Sequence, residues 1–296
     1  MYGAILGDII GSRFELDRGK RTKKFKLFTE QNYFTDDTVM TIAVGEALLN
    51  LDPAANLKET IEAITASMKK WGNKYPYAGY GERFKRWLME DDPKPYNSYG
   101  NGSAMRVSAA GWLYSSLEMT RAMARITAEV THTHYEGIKG ADCTATVIYL
   151  SRTGSSKKEI QEFVNNEFKY DVSETLEEMR EDYEHDESCQ DTLPKALRSF
   201  YDGNSYEDVI RNAISLGGDT DTIAAIAGSM AEAYYGIPEH LIAEGKLYLS
   251  KDIQDVLDGF NKVLEAPTYS KYRKPNIKGG RILRFLRLIH SICVVP

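Results

Sequence analysis

Apolar and polar positions alternate at a helical period through most of the 296-residue chain. Residues 1–12 open the pattern. Gly3, Gly7 and Gly11 recur every four residues among Ala4, Ile5, Leu6, Ile9 and Ile10, which puts the glycines on one helix face. Small residues so spaced let another backbone approach closely, so tight helix packing is the plain reading. Residues 16–33 are charged and aromatic and read as a loop. From Thr35 to Asn50 the period returns in Val39, Ile42, Ala43, Ala47 and Leu49, with Thr35 or Asp36 as N-cap. Further helices are expected over 57–72, 82–88, 118–130, 140–150, 193–197, 206–215 and 223–235, and again within 239–265. Asp91-Asp92-Pro93-Lys94-Pro95 and Gly236-Ile237-Pro238 are stops. Residues 171–187 are acidic and read as a solvated helix face and loop. Strand-like alternation is missing, and no strand-helix rhythm occurs. The expected fold is all-α: a single compact multi-helix domain over 1–265, followed over 266–296 by a basic C-terminal tail or docked helix.

Composition narrows the class. Hydrophobic content of 42% and charged content of 27% are those of an ordinary globular protein. A net charge of -6 gives no nucleic-acid footprint. Three widely spaced cysteines, Cys143, Cys189 and Cys293, argue against a disulfide framework and for a reducing compartment. The N-terminus lacks a basic signal region, and Asp8 interrupts its short apolar run. No apolar stretch reaches the ~18 residues of a membrane span. A cytoplasmic protein with no membrane partner is therefore expected.

Two short clusters change the picture from fold to chemistry. Phe34-Thr35-Asp36-Asp37-Thr38 and Gly217-Gly218-Asp219-Thr220-Asp221-Thr222 each place several hard oxygens in front of a helix of small apolar residues. One oxygen suffices for a cap, and both clusters exceed that need. An oxygen-only donor set suits a hard cation. Burying Asp36, Asp37, Asp219 and Asp221 together is costly without compensation, and two divalent ions cancel four negative charges. The clusters therefore predict a dinuclear site, with Mg2+ as the default and Mn2+ as a close substitute. Gly217 and Gly218 supply unusual backbone angles beside it. Asp8, an acid inside an apolar helix, needs a polar reason, and Glu15 follows where a loop could carry it over a site.

Other features are weaker. Ser98-Tyr99-Gly100-Asn101-Gly102-Ser103-Ala104-Met105-Arg106 is a glycine-rich loop opening a helix, a geometry that can meet an anion. It matches neither nucleotide-binding glycine fingerprint. His132 and His134, two apart, are not a helical zinc pair. Tyr75-Pro76-Tyr77-Ala78-Gly79-Tyr80-Gly81 reads equally as a connection or as a lid that stacks on a planar group.

Gly7-Asp8 with Glu15, Thr35-Asp36-Asp37-Thr38, Asn101-Gly102-Ser103-Ala104-Met105-Arg106, Thr131-His132-Thr133-His134 with Glu136-Gly137, and Gly217 to Thr222 together resemble the ADP-ribosylglycohydrolases. That family includes dinitrogenase-reductase-activating glycohydrolase and the ADP-ribosylarginine hydrolases, and the chain looks like its shorter bacterial members. The resemblance covers roughly residues 1–260 in the right order, and the last motif is the most specific. It implies an all-α fold with two magnesium ions in a central cleft, held by Thr35, Asp36 and Asp37 on one side and Asp219, Asp221 and Thr222 on the other. Glu15 matches a mobile acid that gates the site or positions water, so Glu15, Asp36 and Asp37 are the catalytic candidates. Asn101, Gly102, Ser103 and His132 are the substrate-binding candidates, with Gly102 and Ser103 matching the loop at a diphosphate. Relatives often carry Asn and Pro where this chain has Thr133 and Tyr135. The implied substrate is an ADP-ribosylated protein or small ADP-ribose conjugate, cleaved at C1 of its distal ribose. Two other readings use the same scaffold: a non-catalytic, crystallin-like ADP-ribose binder, and a dinuclear-metal nucleotide-diphosphate hydrolase.

Overall fold

The computed structural model describes residues 1–15, 22–181 and 186–266. These carry fifteen α-helices: α1 (Tyr2–Gly11), α2 (Asp36–Asn50), α3 (Leu57–Lys74), α4 (Glu82–Met89), α5 (Gly102–Met105), α6 (Ser108–Leu113), α7 (Leu117–Glu129), α8 (Tyr135–Arg152), α9 (Lys157–Glu167), α10 (Leu176–Glu181), α11 (Cys189–Asp202), α12 (Tyr206–Ser215), α13 (Thr220–Tyr235), α14 (Glu239–Gly245) and α15 (Lys251–Glu265). Among the described residues there is no strand; one isolated bridge pairs Gly100 with Ser188. No described helix is long and apolar enough to cross a membrane.

Local chemistry explains several boundaries. Asn56 with Glu59, and Ser156 with Glu159, form reciprocal capping boxes that start α3 and α9. Thr35 caps α2 by accepting from the Asp37 amide. The helix expected from residue 140 starts earlier, at Tyr135, because the His134 ring nitrogen Nδ1 accepts from the Glu136 amide at 3.2 Å. The short helix expected at 193–197 lies inside the longer α11, which Ser188 caps. α9 was hidden by the polar composition of its surroundings. The basic segment from 267 to 296 and residues 16–21 lie outside the described residues.

α13 is the centre of the molecule. Its residues from Thr220 to Ala231 are all buried, as is the whole of α1. The glycines of α1 make their crossing close. A Cβ at Gly7 would sit 2.2 Å from the Ala224 carbonyl oxygen, and one at Gly11 only 2.6 Å from Asp221 Cα. Thr220 of α13 fastens the pair by donating to the Gly11 carbonyl at 3.0 Å, and Tyr206 ties α12 to α1 by donating to that of Gly3 at 2.9 Å. Ile5, Leu6, Ile9, Ile223 and Ile226 are among the core residues around this crossing. Each fully buried side chain of that size stabilises by about 1.5–3 kcal/mol. The crossing thus puts Asp8, near the end of α1, on the same side as the start of α13.

Candidate metal centre and active site

Asp8 organises the first cluster. Buried in α1, it accepts from the Thr35 amide at 2.9 Å, the Thr35 hydroxyl at 2.8 Å, the Thr38 amide at 3.0 Å and the Thr38 hydroxyl. It therefore anchors the N-terminus of α2, where an anion also meets the favourable end of the helix dipole. Asp37 is buried beside it, and Asp36 is half-buried. Sequence reasoning gave Asp8 a polar role without finding its partners, which lie on another helix.

The second cluster begins at Gly217 and Gly218, whose φ angles of 75° and 76° are the left-handed conformations that favour glycine. They turn the chain so that Asp219 precedes α13, with Asp221 and Thr222 in its first turn. The two clusters meet: the Thr222 hydroxyl donates to Asp37 Oδ2 at 3.1 Å. Glu15, just after the 3-10 turn Ser12–Phe14, completes a third approach. Carboxylate oxygens of Glu15, Asp219 and Asp221 all lie within 4.8 Å of one another. Gly79, at φ 107°, also reaches the cluster: a Cβ there would lie 3.2 Å from Asp36 Oδ1. The Tyr75–Gly81 segment therefore borders Asp36, while Tyr77 on it is 98% exposed.

The electrostatics suit a cation. Burial, followed by neighbouring carboxylates, pushes the Asp37 and Asp221 carboxyls well above the ordinary range and Asp36 up to about 8. Burial raises Asp8 to about 6 despite its four hydrogen bonds. Asp8, Asp36, Asp37, Asp219 and Asp221 form no ion pair among the described residues. Asp37 Oδ1 is buried and has no hydrogen-bond partner. The Thr35 hydroxyl spends its proton on Asp8 and the Thr222 hydroxyl on Asp37, which leaves both oxygens as acceptors. Clustered carboxylate and hydroxyl oxygens, one of them orphaned, are a donor set that fits a hard divalent ion.

The glycine-rich loop is joined to this cluster. Asn101 is buried, and its Nδ2 donates to Asp219 Oδ2 at 2.6 Å and to Thr192 Oγ1 at 2.9 Å. Ser103 is also buried, with its hydroxyl on the Gly137 carbonyl at 2.6 Å. Gly102 remains half-buried. It opens the four-residue α5. His132 is 3% exposed and lies under the loop. His134 sits on the rim as the cap of α8, edge-on to Tyr99 with ring centroids 5.5 Å apart.

The profile of the ADP-ribosylglycohydrolase family matches residues 1–269. The chain belongs to this family. It is 28% identical to human ADP-ribosylhydrolase ARH3, over 81% of this chain and 85% of that protein. It is 27% identical to the ADP-ribosylarginine hydrolase Tri1 of Pseudomonas putida strain GB-1, over 80% of this chain and 70% of that one. A solved structure described as an ADP-ribosylglycohydrolase-related protein complex superposes with a TM-score of 0.66 at 23% identity, covering 88% of this chain and 95% of the other. That likeness is one of fold. In this family member the close pair α1 and α13, together with the start of α2, carries Asp8, Asp36, Asp37 and Asp221.

Proposed function

We propose that residues 1–265 hydrolyse ADP-ribose conjugates at C1 of the distal ribose and release ADP-ribose, with 266–296 as a basic tail outside the catalytic domain. The observation that carries this reading is the meeting of the two oxygen clusters at Thr222 and Asp37, with Asp37 Oδ1 orphaned. Membership of the ADP-ribosylglycohydrolases and similarity to ARH3 and Tri1 support the substrate class.

Thr35, Asp36, Asp37, Asp219, Asp221 and Thr222 are assigned to two Mg2+ ions, for which Mn2+ substitutes. Such ions supply a clamp for the ribose cis-diol and charge neutralisation. The chain's own groups do the rest. Glu15 takes the proton of the attacking water and passes it to the departing atom of the aglycone, so the leaving group goes off protonated. It is only partly buried and lies outside the regular helices, so it can change position while Asp36 and Asp37 stay anchored on α2. Asp36 and Asp37 orient the ribose against that water. Departure of the aglycone passes through an oxocarbenium-like state, which surrounding carboxylates stabilise. The turn containing Asn101, Gly102 and Ser103 faces the diphosphate, and His132 supports it.

Incubation with an ADP-ribosylated arginine peptide and Mg2+, followed by chromatography of the products, tests the reading. Intact ADP-ribose is expected. Release of AMP in its place would make the protein a nucleotide-diphosphate hydrolase, and binding without turnover would make it a non-catalytic binder. The substrate belongs in the cytoplasm as an ADP-ribosylated protein or small conjugate.

A further inference from the structure

The glycine-rich loop is held by a segment without a chemical motif of its own, the start of α11. Gly100 pairs with Ser188 in the isolated antiparallel bridge. The Asn101 amide donates to the Glu187 carbonyl at 2.7 Å, and the Cys189 amide to the Tyr99 carbonyl at 3.0 Å. The Cys189 thiol donates to the Gly100 carbonyl at 3.2 Å. Cys189 is buried, and α8 makes room for it with a glycine: a Cβ at Gly140 would lie 2.4 Å from the Cys189 Sγ. Tyr99, Gly100 and Asn101 are thus fastened one after another to residues 187–189.

One turn further along α11, the buried Thr192 reaches the acid cluster through Asn101. The Asn101 Nδ2 donates to Thr192 Oγ1 at 2.9 Å and to Asp219 Oδ2 at 2.6 Å. A carboxamide carries two N–H groups on one nitrogen, so the two bonds use both. A metal-binding carboxylate only accepts, so the carboxamide must face Asp219 with its nitrogen. The Thr192 oxygen then takes the second N–H. Asp219 has need of such a hold. It is the N-cap of α13, yet its side chain makes no capping hydrogen bond, whereas Thr35 caps α2 with its own hydroxyl. Its carboxylate lies instead with those of Glu15 and Asp221. An outer hydrogen bond orients a ligating carboxylate, and the residue that gives this one is braced by α11 at both its backbone and its side chain.

We infer that Thr192 is a positioning residue of the metal centre: by accepting one N–H of Asn101 it directs the other at Asp219, while residues 187–189 fix the backbone from which Asn101 projects. Asn101 thus serves Asp219 as well as the loop. The inference rests on the proposed metal site, and its test reads metal binding and not turnover.

That test is calorimetric titration of the metal-free full-length protein with Mn2+. Thr192→Val removes the acceptor and nearly keeps the shape. It is expected to weaken Mn2+ binding about tenfold, as loss of a ligand's outer support does, and Thr192→Ser is expected to bind as wild type does. A double-mutant cycle separates positioning from general loss of stability. Once Asn101→Ala has removed the carboxamide, Thr192→Val should weaken Mn2+ binding no further. Wild-type Mn2+ affinity in Thr192→Val, or a loss that adds in full to that of Asn101→Ala, overturns the inference. Thr192→Ala, which puts no branched side chain against the carboxamide, carries the same expectations if Thr192→Val does not fold. Product assays keep the two readings apart. If the Mn2+ results are as expected but wild type releases no ADP-ribose, only the hydrolase reading fails. If wild type turns over and Thr192→Val binds Mn2+ unchanged, only this one does.

Discussion

The Thr222 hydroxyl donates to Asp37 Oδ2 at 3.1 Å across 185 positions of sequence. This bond joins the first turns of α2 and α13, so it links the two halves of the candidate metal site. Thr222→Val removes the donor while nearly keeping the shape. The expected result is a 10- to 100-fold fall in kcat/KM for ADP-ribose release, the usual range for disturbed metal support, with the helical circular dichroism unchanged. Wild-type turnover in Thr222→Val would remove this residue from the site.

Asp8 is expected to matter for stability as well as activity. It accepts four hydrogen bonds, from the amides and hydroxyls of Thr35 and Thr38. Asp8→Asn replaces acceptor capacity with an NH2 that faces donors. A loss of roughly 2–4 kcal/mol is expected from the unmet buried groups, read by urea denaturation. A change under 1 kcal/mol would mean that α2 is anchored by something else.

The α1–α13 crossing makes a sharper test of spacing. Gly11→Ala would bring a methyl within 2.6 Å of Asp221 Cα and of the Thr220 carbonyl oxygen, both backbone atoms with little room to yield. Overpacking of this kind typically costs about 1–3 kcal/mol or more. Because the clash falls at the start of α13, Mg2+ affinity is expected to drop together with Tm. Gly154→Ala is the control, since a Cβ there meets nothing within 4 Å but φ is 95°; its Tm loss should come without any change in Mg2+ affinity.

Removal of metal should show a characteristic pH dependence. In the metal-free fold Asp8 is raised to about 6 and Asp36 to about 8, against about 4 when unfolded. A raised folded-state pKa means that the native state binds protons which the unfolded chain has released. The associated stability is complete below about pH 4 and is lost as pH climbs through about 6 and then about 8. Tm in chelator is therefore expected to fall from pH 5 to pH 9, and the gap between Mg2+-loaded and chelated protein to widen over that range. Melting curves by differential scanning fluorimetry check this. A gap that stays constant with pH would mean that the acids do not exchange protons for metal.

The all-α class, most helices and both acid clusters were legible in the sequence, because periodicity and local excess of oxygen donors are short-range properties. A cap at Thr35 or Asp36 and the Gly217-Gly218 turn before α13 follow from residue type alone, and the structure chooses Thr35. The start of α8 was not legible, because His134 caps through a ring nitrogen, an uncommon device. α9 was obscured by its polar face.

What sequence alone determined is the inventory: glycines on one face of α1, acids and threonines at two helix starts, and a glycine turn before a buried helix. What only the tertiary structure decided is who meets whom. It pairs Asp8 with Thr35 and Thr38, Asp37 with Thr222, and Asn101 with Asp219, and brings Glu15 to Asp219 and Asp221. The reason is physical. Capping and periodicity act within one or two helical turns, whereas a buried carboxylate is satisfied by whatever donor packing delivers, and that packing is set by how closely the glycine face of α1 lets α13 approach.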